Sequence, residues 1–178
     1  MNEQNEKLLE EYLKHLPVSR SQLEHIGFFE APASKSHHLA IKGGLAIHSL
    51  NVTRNLLHLT DALCIVWPRP QSPYIIGMLH DLCKVKSYRL DGDAIKKVKS
   101  EYHGHGSASA MIAMCELGVN LFRVECAAIQ HHMGAFGLEG EELDELDAAL
   151  EKYPVEIIAT HTADMLASRA DEHGFRGT

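Results

Sequence analysis

The sequence lacks any apolar run approaching the ~20 residues that a membrane-spanning helix needs. It is poor in cysteine. Cys64, Cys83, Cys115 and Cys126 show no CxxC spacing, which excludes a zinc knuckle or disulfide framework, and each sits in an apolar context that reads as a reduced core residue. There are no internal repeats and no low-complexity segments. Positive charge is in deficit as well: 17 Lys and Arg against 24 Asp and Glu leave a formal charge of −7, which argues against a broad nucleic-acid-binding surface. An anionic substrate held by a metal and a few local lysines remains compatible with that balance. The opening MNEQNEKLLEEYLKHL is acidic and helical in pattern rather than a signal peptide, so the expectation is a cytoplasmic protein.

At 178 residues, 45% of them hydrophobic, the chain suits one domain with a sizeable core, spanning 1–178 with its centre at about 28–172 and short helices in 3–27 packed against it. The abnormal quantity is histidine, 13 in all. Such enrichment points toward metal. It is sharpest in the stretch from Tyr74 to Lys84, where Ile75, Met78, Leu79 and Leu82 recur at i, i+3, i+4 and i+7 and predict one amphipathic helix. Adjacent helical residues point roughly 100° apart, so at least one of His80 and Asp81 is drawn inside. A buried carboxylate requires a partner or a metal, and imidazole with carboxylate suits manganese, iron, zinc or nickel. The plainer alternative is a core histidine bonded to Asp81 or to a backbone carbonyl.

Along the chain, residues 3–16 predict a helix with Leu8, Leu9, Tyr12, Leu13 and Leu16 inward, stopped by Pro17. Ser19 caps a second helix, closed by Gly27. A loop from Phe28 to His38 follows, then a long helix from Gly44 to about Cys64, whose stripe of Leu45, His48, Val52, Leu56, Leu59 and Leu63 faces His48 inward. His58 falls off that stripe. The segments 86–90 and 94–98 flank Asp91-Gly92-Asp93 and suggest a small hairpin, with lysines that are most simply a solvated face. His103-Gly104-His105-Gly106 leads into a helix with Ala108, Met111, Ile112 and Cys115 inward, and the helix from Leu121 ends on His131-His132. A glycine-rich loop and an acidic helix packing Leu143, Leu146, Ala149 and Leu150 come next. Pro154 then opens a last helix whose Ile157, His161, Asp164 and Ser168 share a face. The total is six or seven helices with almost no strand, hence an all-α domain.

The inward histidines and acids, in order His48, His80-Asp81, His105, His131-His132 and Asp164, resemble the pattern of the HD-domain superfamily of metal-dependent phosphohydrolases. Gly43-Gly44-Leu45-Ala46-Ile47-His48-Ser49-Leu50 is similar to that family's GGLxxHSL, Leu79-His80-Asp81-Leu82-Cys83-Lys84 to its LHDxxK, and His161-Thr162-Ala163-Asp164 to its closing xxAD. Pro32-Ala33 with His37-His38 resembles the HD domain of bacterial 3'-5' exoribonucleases. The stretch from Ile129 to Phe136 looks more like small stand-alone bacterial HD hydrolases.

The resemblance implies a compact helical bundle with metal ligands His48, His80, Asp81, His105, His132 and Asp164. In that scheme Asp81 bridges two divalent ions (manganese, iron, nickel or cobalt, with magnesium also in range) that activate a water near neutral pH. Asp81 and Lys84 are the implied catalytic residues, and Lys84, His131, His37 and His38 the substrate-binding ones, with His131 an alternate ligand to His132. The implied substrate is a nucleotide or short oligonucleotide. A single ion would instead resemble the branch that hydrolyses nucleoside monophosphates. Two other readings share the pattern: a di-iron HD-domain oxygenase, and a non-catalytic HD domain that binds a nucleotide. The cyclic-dinucleotide branch is disfavoured, because Met-Gly-Ala-Phe-Gly follows His132 in place of that branch's Asp-Gly-x-Gly-Tyr-Pro.

Overall fold

The computed structural model describes residues 2–92 and 94–172. Helix α1 (Glu3–Leu13) is capped by Asn2 and stops short of the predicted Leu16, the chain passing through tight turns before Pro17. Helix α2 (Arg20–Ile26) has a capping box between Ser19 and Gln22. It closes in a left-handed turn: Gly27 takes φ 88°, and the Phe28 amide donates to the Leu23 carbonyl at 3.0 Å. The following loop is buried from Ala31 to Ser34 and is tied by backbone bonds, Ala33 to Leu39 and Leu45 to Ala31, which seat the start of α3 (Gly44–Ala62). A β-carbon on Gly44 would lie 2.0 Å from the Leu39 carbonyl oxygen, so only glycine fits there.

Three glycine-mediated approaches of this kind set the distances in the bundle. The second joins α3 to α4 (Ser72–Leu79), where a β-carbon on Gly77 would meet Thr53 within 2.6 Å of its Cα. Helix α4 is buried all round, its Ile75, Met78 and Leu79 in one apolar cluster with α1 and α2, and Ile76 in another with Val52, Leu56, Ala128 and Ala163. The predicted single helix over the His-Asp stretch is therefore corrected. Helix α4 ends at Leu79, His80 to Cys83 form tight turns in which the Leu82 and Lys84 amides donate three residues back, and a one-turn helix α5 (Lys84–Ser87) follows. The apolar run continues through the break, so periodicity alone did not mark it.

The hairpin pairs β1 (Tyr88–Asp91) with β2 (Ala94–Lys97) in antiparallel register, Tyr88 opposite Lys97 and Leu90 opposite Ile95. Asp93, expected in its turn, lies outside the described residues. Helix α6 (His105–Cys115) buries Ala108, Ser109, Ile112 and Ala113, whereas Met111 and Cys115 are exposed, contrary to the predicted face. This helix is apolar on nearly every side, and its pattern carries little directional information. Helices α7 (Arg123–Gln130), α8 (Glu141–Leu150) and α9 (Pro154–Leu166) complete the bundle, and α9 widens into a π-helical segment over Ala167–Asp171. In α8 Leu146 is buried but Leu143 is exposed, and Leu63, expected on the inward stripe of α3, caps that helix and is exposed.

The chain thus has more helical segments than the six or seven predicted, the break after α4 adding one, and it is mostly helical with a small hairpin. Of the cysteines only Cys83 is buried; Cys64 and Cys115 are exposed and Cys126 is intermediate, because an apolar local context does not fix which way a residue near a helix end faces. Among the described residues no helix is long and apolar enough to cross a membrane. One buried ion pair was not anticipated. Arg69 donates through Nε and Nη2 to the two carboxylate oxygens of fully buried Glu125 at 2.7 and 2.6 Å, and Ser72 donates at 2.7 Å. The proline-rich connection is thereby pinned to the start of α7, whose Phe122 amide also donates to Glu125.

The third glycine approach holds α6 against α7: a β-carbon on Gly106 would lie 2.1 Å from the Gln130 carbonyl oxygen. Gly106→Ala is expected to destabilise the protein by about 1–3 kcal/mol, since backbone has to move to relieve the overlap. Urea unfolding measures this, and a change below about 0.5 kcal/mol would contradict the packing described.

Candidate metal centre

The turn after α4, the start of α6, the turn after α7, the second turn of α3 and the last turn of α9 converge on one carboxylate. Asp81 is 4% exposed, and the imidazoles of His48 and His80 are buried around it, as is that of His132. His105 Nε2 lies 2.5 Å from Asp81 Oδ1 and His132 Nε2 lies 3.6 Å from the same oxygen. On the other oxygen, Oδ2, His48 Nε2 is at 3.8 Å and His80 Nε2 at 3.9 Å. Asp164 Oδ1 is 3.0 Å from His48 Nε2, and the two Nε2 atoms of His48 and His80 are 3.3 Å apart.

The far side of each buried ring is fixed by an acceptor. His80 Nδ1 donates to the Gly77 carbonyl at 2.9 Å, His132 Nδ1 to the Ile129 carbonyl at 2.7 Å, and His48 Nδ1 to the Glu172 carboxylate at 3.0 Å. With Nδ1 as the donor, Nε2 is the nitrogen left to face inward, which is how protein histidines are prepared for metal. Two donor sets share Asp81: His48, His80 and Asp81 on one side, and Asp81, His105 and His132 on the other. A third, His38, His48 and Glu172, lies behind His48, and each of the three is close enough to hold an ion.

Charge follows the same geometry. Burial works against ionising Asp81, but Lys84, His105 and His132 outweigh it and hold the carboxyl well below the usual range. Lys84 Nζ stands 4.0 Å from Asp81 Oδ2, and although burial opposes its charge, Asp81 raises its pKa. Burial likewise opposes charge on His48, yet the hydrogen bonds to Asp164 and Glu172 push it up to about 10. His80 has no such compensation. Burial pushes it down to about 3, against the pull of Asp81.

The centre forms the floor of a cavity of about 660 Å³, lined also by His37, His38, Lys84, Met133, Ala135, Phe136, His161, Met165, Ser168 and Arg169. His38 packs its ring 5.0 Å from that of His48, and His37 stands exposed at the rim; Ser34 shapes this turn, accepting from the His37 amide and donating to the His38 carbonyl. His132, not His131, is the histidine that meets Asp81. His131 does not line this cavity and instead borders a smaller hollow with Gly134, Phe136 and Glu145.

The structure adds His161 and Arg169 to the wall, and Glu172 behind His48. His161 had a signal, its spacing of three before Asp164, and its Nδ1 donates to the His132 carbonyl at 2.7 Å. Arg169 and Glu172 had none, because they lie in and beyond the π-helical segment, where α-helical spacing no longer applies. Comparison with protein-family models, with curated proteins and with solved structures finds no match for this chain.

The opposite shifts of two buried histidines make a pH prediction for the metal-free protein. Above pH 6.5 the unfolded chain has lost a proton that folded His48 keeps to about 10, so stability falls as pH rises between the two. Below 6.5 the unfolded chain binds a proton that folded His80 refuses down to about 3, so stability falls as pH drops. His132, raised, adds to the first limb, and His105, lowered, to the second. Denaturant unfolding in chelator is expected to show maximal stability near pH 6.5. A monotonic profile from about pH 5 to about pH 9 would contradict the assignment.

Proposed function

We propose that this chain is a metal-dependent phosphohydrolase of the HD-domain type that cleaves a phosphoester of a nucleotide or short oligonucleotide. The observation that carries the proposal is the convergence on Asp81 of buried imidazoles whose Nδ1 atoms are already engaged, on the floor of a cavity with cations in its wall. Imidazole and carboxylate donors together fit manganese, iron, cobalt or nickel. His48, His80, Asp81 and Asp164 would hold one ion, and Asp81, His105 and His132 a second. Such ions supply Lewis-acid polarisation of a phosphoryl oxygen and lower the pKa of water.

The chain's own residues do the rest. Lys84, charged beside Asp81, counters phosphate charge at the floor, and Arg169 offers a planar fork to a phosphate at the rim. His37 and His38, which also line the cavity, are further hydrogen-bonding groups. Met133, Phe136 and Met165 give an apolar flank suited to a planar base. The cavity is of the size that encloses a small ligand, in the ~300–1,000 Å³ range of such sites.

The test begins with metal content per chain in protein purified without added metal or chelator, wild type beside Asp81→Ala. About two transition-metal ions in the wild type, lost in the variant with helix content kept, are expected. Phosphate release from nucleotides, or mononucleotide release from short RNA, should then proceed anaerobically, fall to background in Asp81→Ala, and fall about 10²–10³-fold in Lys84→Ala. Obligatory oxygen consumption would replace this reading with a di-iron oxygenase. Failure to take up manganese or iron at all would replace it with a non-catalytic nucleotide-binding domain.

A further inference from the structure

His48, Asn51 and Asn55 recur on α3 at steps of three and four and so share one face. That face receives the end of the described chain. Asn55 Nδ2 donates to Asp171 Oδ2 at 2.9 Å, Arg54 reaches the same oxygen at 3.1 Å, and Asn51 Nδ2 donates to Glu172 Oε1 at 3.0 Å. Glu172 is 1% exposed, and its carboxylate accepts from His48 Nδ1 at 3.0 and 3.3 Å. The His38 Nε2 atom is 4.0 Å away.

The backbone is shaped for this contact. Continued as an α-helix, Glu172 would lie eight residues beyond Asp164 and about 80° round the axis from it, at about 100° per residue. Over Ala167–Asp171 the helix widens to π geometry, and the Glu172 amide donates to the Ala167 carbonyl, five residues back, at 3.0 Å. Wider turns take less rotation per residue, which swings Glu172 back toward the face that carries Asp164. A buried carboxylate is unfavourable without a charged or hydrogen-bonding partner, and here the partners are His48 and Asn51.

We propose that Glu172 is a positioning residue for His48: its carboxylate, itself held by Asn51, keeps the His48 ring with Nε2 toward the metal centre. The inference rests on the reading of that centre as metal-binding, though not on hydrolysis. Asp164 and Glu172 grip opposite nitrogens of one ring. The α9 helix and its extension therefore supply both a ligand candidate and the group behind another.

Cobalt(II) titration of the full chain, followed by visible absorption, tests it. Glu172→Ala is expected to weaken the affinity about 10–100-fold and alter the bound spectrum, and Glu172→Gln, which keeps an acceptor oxygen, to fall between it and wild type. Asp171→Asn, which disturbs the neighbouring contacts to Arg54 and Asn55 but touches neither His48 nor Glu172, is expected to stay within about threefold of wild type. Wild-type affinity in Glu172→Ala, or an equal loss in Asp171→Asn, overturns the positioning role. Should Glu172→Ala fail to fold, Glu172→Gln decides, and unchanged affinity there overturns it. Absence of cobalt binding by the wild type would instead remove the metal reading, and this inference with it.

Discussion

The rest of the site depends on keeping one carboxylate, Asp81, ionised where water is nearly excluded. Alone, that carboxylate would protonate or unfold its surroundings, because the penalty for burying a naked charge is several kcal/mol. Here it is ringed by imidazole nitrogens and by the Lys84 ammonium, contributed by α3, α5, α6 and the turns after α4 and α7. Each donor is local to its own segment, and only their simultaneous presence makes the burial tolerable. The bundle and the site are therefore one construction.

Close packing makes that simultaneity geometrically attainable. Gly77 brings α4 against Thr53 of α3, and Gly106 brings α6 against the last carbonyls of α7, so histidines from separate segments arrive within a few ångströms of one carboxylate. The carbonyls near those helix ends have a second use. Gly77 and Ile129 offer their C=O groups to the Nδ1–H of His80 and His132, three residues on, so a helix terminus that leaves carbonyls without amide partners orients the histidine that follows it. This explains why His80 and His132 sit just past helices rather than within them.

The cavity above the centre has a different character from its floor. Its floor is crowded with nitrogen and carboxylate oxygen, while Met133, Phe136, Met165 and Arg169 are among the other residues that line it. Phe136 is largely exposed and sits in a loop where Gly134 and Gly137 take positive φ, a conformation that other residues adopt at a cost.

Much of this was legible in the chain itself. Capping by Ser19 and Gly27, the Pro154 start, the hairpin around Asp91 and Gly92, and the inward face of His48 follow from local chemistry and 3.6-residue periodicity, so sequence alone determined the mostly helical character of the chain and the set of metal-type side chains it carries. Where a helix is apolar on all sides, as α4 and α6 are, periodicity loses its phase. The break at His80 and the outward Met111 and Cys115 were decided by packing. So was the choice of His132 over His131, adjacent and chemically identical, which turns on where α7 ends against Gly106. Glu172 and Glu125 were decided by tertiary structure alone. Their partners lie 124 and 56 residues away, and an acidic residue at a helix end looks solvated until the chain that buries it is in place.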